Sequence, residues 1–258
     1  MTSPILRTTD LTVRFGGHVA VDNVSCAFHA NQLTAIVGPN GAGKTTYFNL
    51  ISGQIPASSG RVELRGQNIS GLSVSQRTRA GIGRAFQLTN LFPNLSVLEN
   101  VRLVVQSKQG KGFNLFSMVT KHTEMTEAAE QVLARVRLLD QREQIVSELS
   151  HGDQRKLEVA LLIALDPDVY MFDEPTAGMS VDEAPIVLDL IAELKEQDNR
   201  SILLVEHKMD VIRTLADRII VLHNGALAAD GAPADVMASD VVQEAYMGRG
   251  LEGALGHE

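Results

Sequence analysis

The stretch Gly38-Pro39-Asn40-Gly41-Ala42-Gly43-Lys44-Thr45-Thr46 has the residue types and spacing to hold a polyphosphate. It fits G-x-x-x-x-G-K-[ST]. In that pattern glycines let successive backbone N–H groups face one centre, and the following helix adds the positive end of its dipole. Lys44 would reach the β- and γ-phosphates of a nucleoside triphosphate, and the Thr45 hydroxyl would hold Mg²⁺. The bland alternative is a glycine-rich turn before an ordinary helix. Context favours the phosphate loop, because the apolar Leu33–Val37 reads as a buried strand and Tyr47–Ile51 reads as a helix.

Further along, Val169-Tyr170-Met171-Phe172-Asp173-Glu174 is an apolar run that ends in two carboxylates. Adjacent acids at a strand end seldom serve packing, and in parallel sheets ligands bind at the carboxyl ends of strands. Asp173 is therefore placed to hold Mg²⁺ through water, and Glu174 to act as the base for an attacking water. Ser201–Glu206 reads as a second buried strand with His207 at its end. A lone histidine is usually structural, but one on the same edge as Asp173 and Glu174 is placed to meet a γ-phosphate. Leu149-Ser150-His151-Gly152-Asp153-Gln154 opens a helix over Arg155–Leu165. Taken alone, Ser150 is best read as a cap, although the same geometry also makes an anion site. Gln87 alone is a polar loop residue. Phe15, beside the turn of the first hairpin, could stack on a purine, but the residues alone favour core packing.

The elements that must position these groups follow from hydrophobic period. Residues 5–37 alternate as strands, with a turn at Gly16-Gly17. Arg61–Leu64 and the segment from Gly81 read as strands, and Ser73–Arg79 as a short helix. From about residue 90 the period becomes helical. Ser96-Val97-Leu98-Glu99 has the form of a capping box, Val97, Val101, Val104 and Val105 share a face, and Met125, Ala129, Val132, Val136 and Leu139 repeat the pattern. The stretch 107–122 reads as a loop or insertion between them. Ser180–Glu183 fits another capping box, ahead of a helix with Val187, Leu190, Ile191 and Leu194 inward. Residues 218–223 and 226–230 form a final hairpin, Ala232–Met247 a last helix, and 248–258 a frayed end.

Bulk properties narrow the function classes. The chain has 258 residues, 44% of them hydrophobic, enough to bury a sizeable core. A net charge of -8 argues against nucleic acid as the main partner, since binding a phosphate backbone needs a basic surface. The single cysteine, Cys26, excludes an intramolecular disulfide and reads as a small buried apolar residue, a usage that suits the cytosol. The longest relevant apolar run, Val159 to Leu165, falls far short of the ~18 residues of a membrane span. The first residues do not read as a signal peptide, so work at a membrane is expected to pass through other chains.

Together, the phosphate loop, Gln87, Leu149–Asp153, Val169–Glu174 and His207 resemble the ATP-binding cassette of ABC transporters, in the right order and over nearly the whole chain. The resemblance implies an α/β fold: a P-loop NTPase core with an N-terminal antiparallel β layer and an inserted α-helical lobe. Residues 1–89 and 161–231 would form the ATP-binding core, 90–160 the helical signature lobe, and 232–258 a C-terminal helix and tail. It implies ATP and Mg²⁺ as cofactors, with Gly38, Pro39, Asn40, Gly41, Ala42, Gly43, Lys44, Thr45 and Thr46 on the phosphates. Phe15 would stack on adenine, reversing the core reading. Thr45, Gln87 and Asp173 would serve the metal, and Glu174, His207, Gln87 and Lys44 would be catalytic. Ser150, His151, Gly152 and Asp153 would close on the nucleotide of a second cassette, identical or not.

Two departures stand out. His151 and Asp153 replace residues of the common Leu-Ser-Gly-Gly-Gln signature, and Ser180 stands where an Asp is usual, which puts a cross-dimer contact of that loop in doubt. The runs around Ser150–Glu158, Glu174–Met179, Val205–Asp210 and Glu244–Gly248 look like cassettes of branched-chain (hydrophobic) amino acid importers, with urea and short-amide importers close by. That implies a bacterial importer with separate permeases, a periplasmic solute-binding protein acting indirectly, and a cytoplasmic location peripheral to the plasma membrane. A cassette of DNA repair or translation is the competing class. Long coiled coils, zinc cysteines or a second cassette would mark it, and none is read in this sequence.

Overall fold

The computed structural model describes residues 3–85, 91–108, 118–196 and 198–239, of which 118–122 by backbone alone. It divides into two compact units. One is drawn from Met1–Ile82, Asp168–Glu174 and Lys195–Glu258, the other from Gly83–Pro167 and Pro175–Leu194.

In the first unit, β1 (Leu6–Phe15) turns at Gly16, φ 60°, into β2 (His18–Phe28). The two pair antiparallel from Leu6↔Phe28 to Phe15↔His18, so the alternating residues read from the sequence put Leu6 and Phe28 inward together. With β4 (Ser59–Leu64) and β5 (Gln67–Asn68) they form a four-stranded sheet ordered β2-β1-β4-β5.

The second sheet is largely parallel. Its order is β10-β9-β3-β8-β7-β6, from β3 (Gln32–Val37), β6 (Ile82–Arg84), β7 (Val169–Asp173), β8 (Ser201–Val205), β9 (Arg218–His223) and β10 (Ala226–Gly231). Only the β9–β10 hairpin among the described pairings of this sheet is antiparallel. Its strands β3, β7 and β8 are apolar along nearly their whole length because both faces are covered. On one face Ile36, Met171, Leu203 and Ile220 meet Phe28, Tyr47 and Phe48. On the other, Ala35, Val37, Ile219 and Val221 meet Ile212 of α7 (Met209–Leu215) and Val236 of α8 (Pro233–Met237). Each such fully buried large side chain contributes about 1.5–3 kcal/mol. Cys26 is buried as expected, and burial pushes its thiol up to about 11.

The second unit packs α3 (Val97–Lys108), α4 (Met118–Arg135) and α5 (His151–Leu165) together, followed by α6 (Ala184–Lys195), whose last residue belongs to the first unit. Val97, Val101, Ala129, Leu133 and Val136 are buried. The Ser96 hydroxyl accepts the Glu99 N–H at 3.2 Å, which starts α3 where the capping signal placed it.

Three expectations need correction. The signature helix begins at His151, not Arg155, because Ser150 caps it by accepting the Asp153 N–H at 3.1 Å. The expected loop 107–122 is entered by helix from both sides, since α3 runs to Lys108 and α4 starts at Met118. The last helix is assigned only over Pro233–Met237, with Ala238 and Ser239 already outside it, and residues 240–258 lie outside the described residues.

Candidate active site

The phosphate loop follows β3 and leads into α1 (Lys44–Ser52). Gly38, Gly41 and Gly43 have φ of 150°, 81° and 97°, in the region where side chains are strained. A Cβ on Gly38 would lie 2.1 Å from the Leu222 carbonyl oxygen, and one on Gly43 2.5 Å from that of Ala20. Glycine here serves close packing against neighbouring backbone as well as conformation. The Lys44 ammonium donates to the carbonyls of Gly38 and Pro39 at 2.7 and 3.0 Å. Burial pulls its pKa down, while the carboxylates of Glu174 and Asp173 oppose that shift. Asn40, Gly41 and Thr45 are exposed and Pro39 and Thr46 half-buried, whereas Gly38 and Ala42 are buried.

Strand register brings the remaining groups of this unit to the same edge. Ile36 of β3 and Asp173 of β7 both pair with Val205 of β8. The chain therefore leaves three neighbouring strands at Gly38, Glu174 and Glu206-His207, the carboxyl edge where ligands of parallel sheets bind. Glu174 has φ 50°, a left-handed conformation uncommon for a non-glycine residue. Its N–H donates to the Val205 carbonyl at 2.9 Å. Its Oε1 lies 2.8 Å from Nε2 of His207. The His207 N–H donates to the Glu206 carboxylate at 2.8 Å, which fixes the backbone that carries the imidazole.

Phe15 ends β1 and is 51% exposed, so it is not a core residue. Its place at the strand tip beside Gly16-Gly17, outside the buried part of β1, accounts for the difference from the core reading.

In the second unit, Ser150 and His151 are exposed and Gly152 is buried. The Ser150 hydroxyl donates to Oδ2 of Asp153 at 3.0 Å. Burial pushes the Asp153 carboxyl up, but Lys156 at 2.8 Å, Ser150 and Gln141 together bring it below the ordinary carboxylate range. Gln87 lies outside the described residues.

Sequence reasoning missed the fastening of α1 at its far end. Arg77 of α2 (Val74–Ala80) is buried and donates from Nη1 to the carbonyls of Leu50 and Ile51, both at 2.7 Å. Nη2 donates to the Ser70 carbonyl at 2.7 Å. A cation on the last carbonyls of a helix also complements its dipole. Burial lowers the Arg77 pKa. No sequence signal links a short polar helix to carbonyls on a different helix.

The profile of the family described as ABC transporter matches residues 21–177 of this chain, from within β2 through the phosphate loop, Ser150 and Glu174. The chain belongs to the ABC transporter family. As a cassette of that family it is an ATP-binding subunit that hydrolyses ATP. The cassette is 38% identical over 255 residues to the high-affinity branched-chain amino acid transport ATP-binding protein LivG of Escherichia coli, covering 96% of this chain and 99% of that protein. It is 35% identical over 253 residues to BraF of Pseudomonas aeruginosa, with the same name of function and 96% and 99% covered. Among solved structures, the ADP conformation of an ATP-binding cassette of an ABC transporter superposes with a TM-score of 0.80, at 28% identity, covering 96% of this chain and all of that one. The expected fold class, an α/β cassette with an antiparallel N-terminal sheet and a parallel core sheet, holds. Among the described residues no helix is long and apolar enough to cross a membrane.

Proposed function

We propose that the cassette energises a bacterial importer for branched-chain or other hydrophobic amino acids, working as one of two cassettes on separate permeases at the inner face of the membrane. A periplasmic binding protein would deliver the solute. The full-length similarity to LivG and BraF supports the solute class.

The observation that carries the chemical reading is the shared strand edge of Gly38, Glu174 and His207. Backbone N–H groups of the Gly38–Thr46 loop and the Lys44 ammonium bind the phosphates, and Phe15 stacks on adenine. Glu174 takes the proton of the attacking water, and His207 holds that carboxylate in place and faces the γ-phosphate. Ser150, His151, Gly152 and Asp153 close on the nucleotide of the second cassette. Gln87 reports on the γ-phosphate and the metal.

The residues fit a magnesium ion that leans on phosphate and water. Among the described residues no cluster of three His, Cys, Asp or Glu could hold a metal alone. The exposed Thr45 hydroxyl and the half-buried Asp173 suit an ion that takes few protein ligands. When bound, Mg²⁺ neutralises charge on the phosphate oxygens.

The test is uptake into proteoliposomes holding the cassette, its permeases and its binding protein. ATP-dependent uptake of leucine, isoleucine or valine is expected. Uptake of urea or a short amide in their place would contradict the solute class.

A further inference from the structure

The turn that follows Glu174 in sequence is fastened to the signature helix by a line of polar contacts within the second unit. The Ser180 N–H and hydroxyl both donate to Oε2 of Glu183, at 3.2 and 2.9 Å. The Glu183 N–H donates back to the Ser180 hydroxyl at 3.3 Å, so the capping box expected from the sequence is closed in both directions. The Glu183 carboxylate does more than cap. It lies against Gly152 so closely that a Cβ there would sit 2.2 Å from Oε1. The same Oε1 is 4.0 Å from the Lys156 ammonium. Lys156 bonds Oδ1 of Asp153 at 2.8 Å, and Oδ2 of Asp153 holds the Ser150 hydroxyl.

Lys156 is the centre of this line, its side chain only 10% exposed between two carboxylates. A nearly buried ammonium is retained only where such partners balance it. Its position has a chemical consequence. Ser150 has one hydroxyl proton, and that proton is given to Asp153. An arriving phosphate oxygen must win it from a carboxylate, and must approach that carboxylate's negative charge. Lys156 draws on the same carboxylate from its other oxygen, which weakens the hold on Ser150 and cancels the charge. Glu183 fixes where the ammonium stands, and Ser180 fixes Glu183.

We propose that Lys156 is a positioning residue for the Ser150 half-site, and that Glu183, held by Ser180, ties this half-site to the turn after Glu174. The inference rests on the reading of Ser150 as a phosphate donor. It gives Ser180, Asp153 and Gly152 a joint role. Ser180 and Asp153 are departures from the common family pattern. Gly152 leaves room for the Glu183 carboxylate, which a side chain at that position would push aside.

The experiment measures phosphate release and ATP affinity for wild type, S150A, K156Q, K156R and the double variant S150A/K156Q. K156Q is expected to lower kcat about five- to tenfold with KM and ATP affinity unchanged, as for neighbours that act as one network. K156R should restore most of it. In the S150A background K156Q should have no further effect. An equal loss from K156Q with and without Ser150, or no loss at all, overturns the inference. Undiminished turnover in S150A overturns the half-site reading itself and is distinguishable from those results. E183Q, at a residue on a more exposed turn, repeats the comparison should K156Q fail to fold. An E183Q loss that persists in S150A/E183Q overturns the inference equally.

Discussion

Oε1 of Glu174 and Nε2 of His207 lie 2.8 Å apart at the carboxyl edge of neighbouring strands, while Glu174 itself holds a left-handed φ of 50°. A non-glycine residue in that region costs about 1 kcal/mol or more and persists where the surroundings over-determine it. Here the Val205 carbonyl takes the Glu174 N–H and His207 takes the carboxylate. The strained residue is also the one proposed as the base for the attacking water.

Phe15 tests nucleotide binding apart from folding. Because the ring is 51% exposed, F15A should leave thermal stability within about 0.5 kcal/mol of wild type. Losing a base stack should weaken ATP binding by about 1–3 kcal/mol. Calorimetric titration and a melting curve on the same preparation check both.

The loop glycines should differ in a predictable order. G38A forces a Cβ to 2.1 Å from a backbone oxygen, which has no flexible end to move. G41A meets nothing within 4 Å, although its φ of 81° still imposes strain. G41A is expected to lose about 1 kcal/mol of stability and G38A clearly more, with ATP affinity falling most in G38A. Equal melting temperatures for the two would contradict the packing argument.

Arg77 should matter for stability before it matters for chemistry. R77M strands the carbonyls of Leu50, Ile51 and Ser70 inside the protein. A loss of at least about 1–3 kcal/mol in denaturant unfolding is expected. Lysine, with a point charge in place of a fork, should recover only part of it.

Asp153 sets a pH signature. Its carboxyl is held below the ordinary range in the folded state, where burial opposes but Lys156, Ser150 and Gln141 prevail. A depressed folded pKa stabilises the protein fully above the unfolded value of about 3.9, and that stability is lost as pH falls through the folded value. The difference in melting temperature between wild type and D153N should therefore be flat near neutrality and shrink on acidification below about pH 4. A difference that grows on acidification would contradict the assignment.

How much of this was legible in the sequence depended on whether a signal was local. The phosphate loop, the acids ending β7 and the box at Ser180–Glu183 are contiguous patterns, and each is found where the pattern put it. Ser150 is the cap that its residue type indicates, and α5 starts directly after it at His151, although the apolar period by which a helix is read begins only further along. Phe15 reads as core by residue type, and only the position of the hairpin tip leaves it exposed. Lys156 and Glu183 could not be paired from sequence. The Asp153–Lys156 spacing is an ordinary helical ion pair, and nothing local says that the capping Glu183 also rests on Gly152. Such links depend on tertiary packing that brings distant segments together.

The central claim is that Glu174 is the base for ATP hydrolysis, and single-turnover phosphate release by E174Q tests it most directly. The glutamine is isosteric, keeps a partner for His207 and cannot take a proton. ATP affinity should stay at the wild-type value while the hydrolysis rate falls by about a hundredfold or more. A rate equal to wild type, with ATP bound as tightly, would contradict the account.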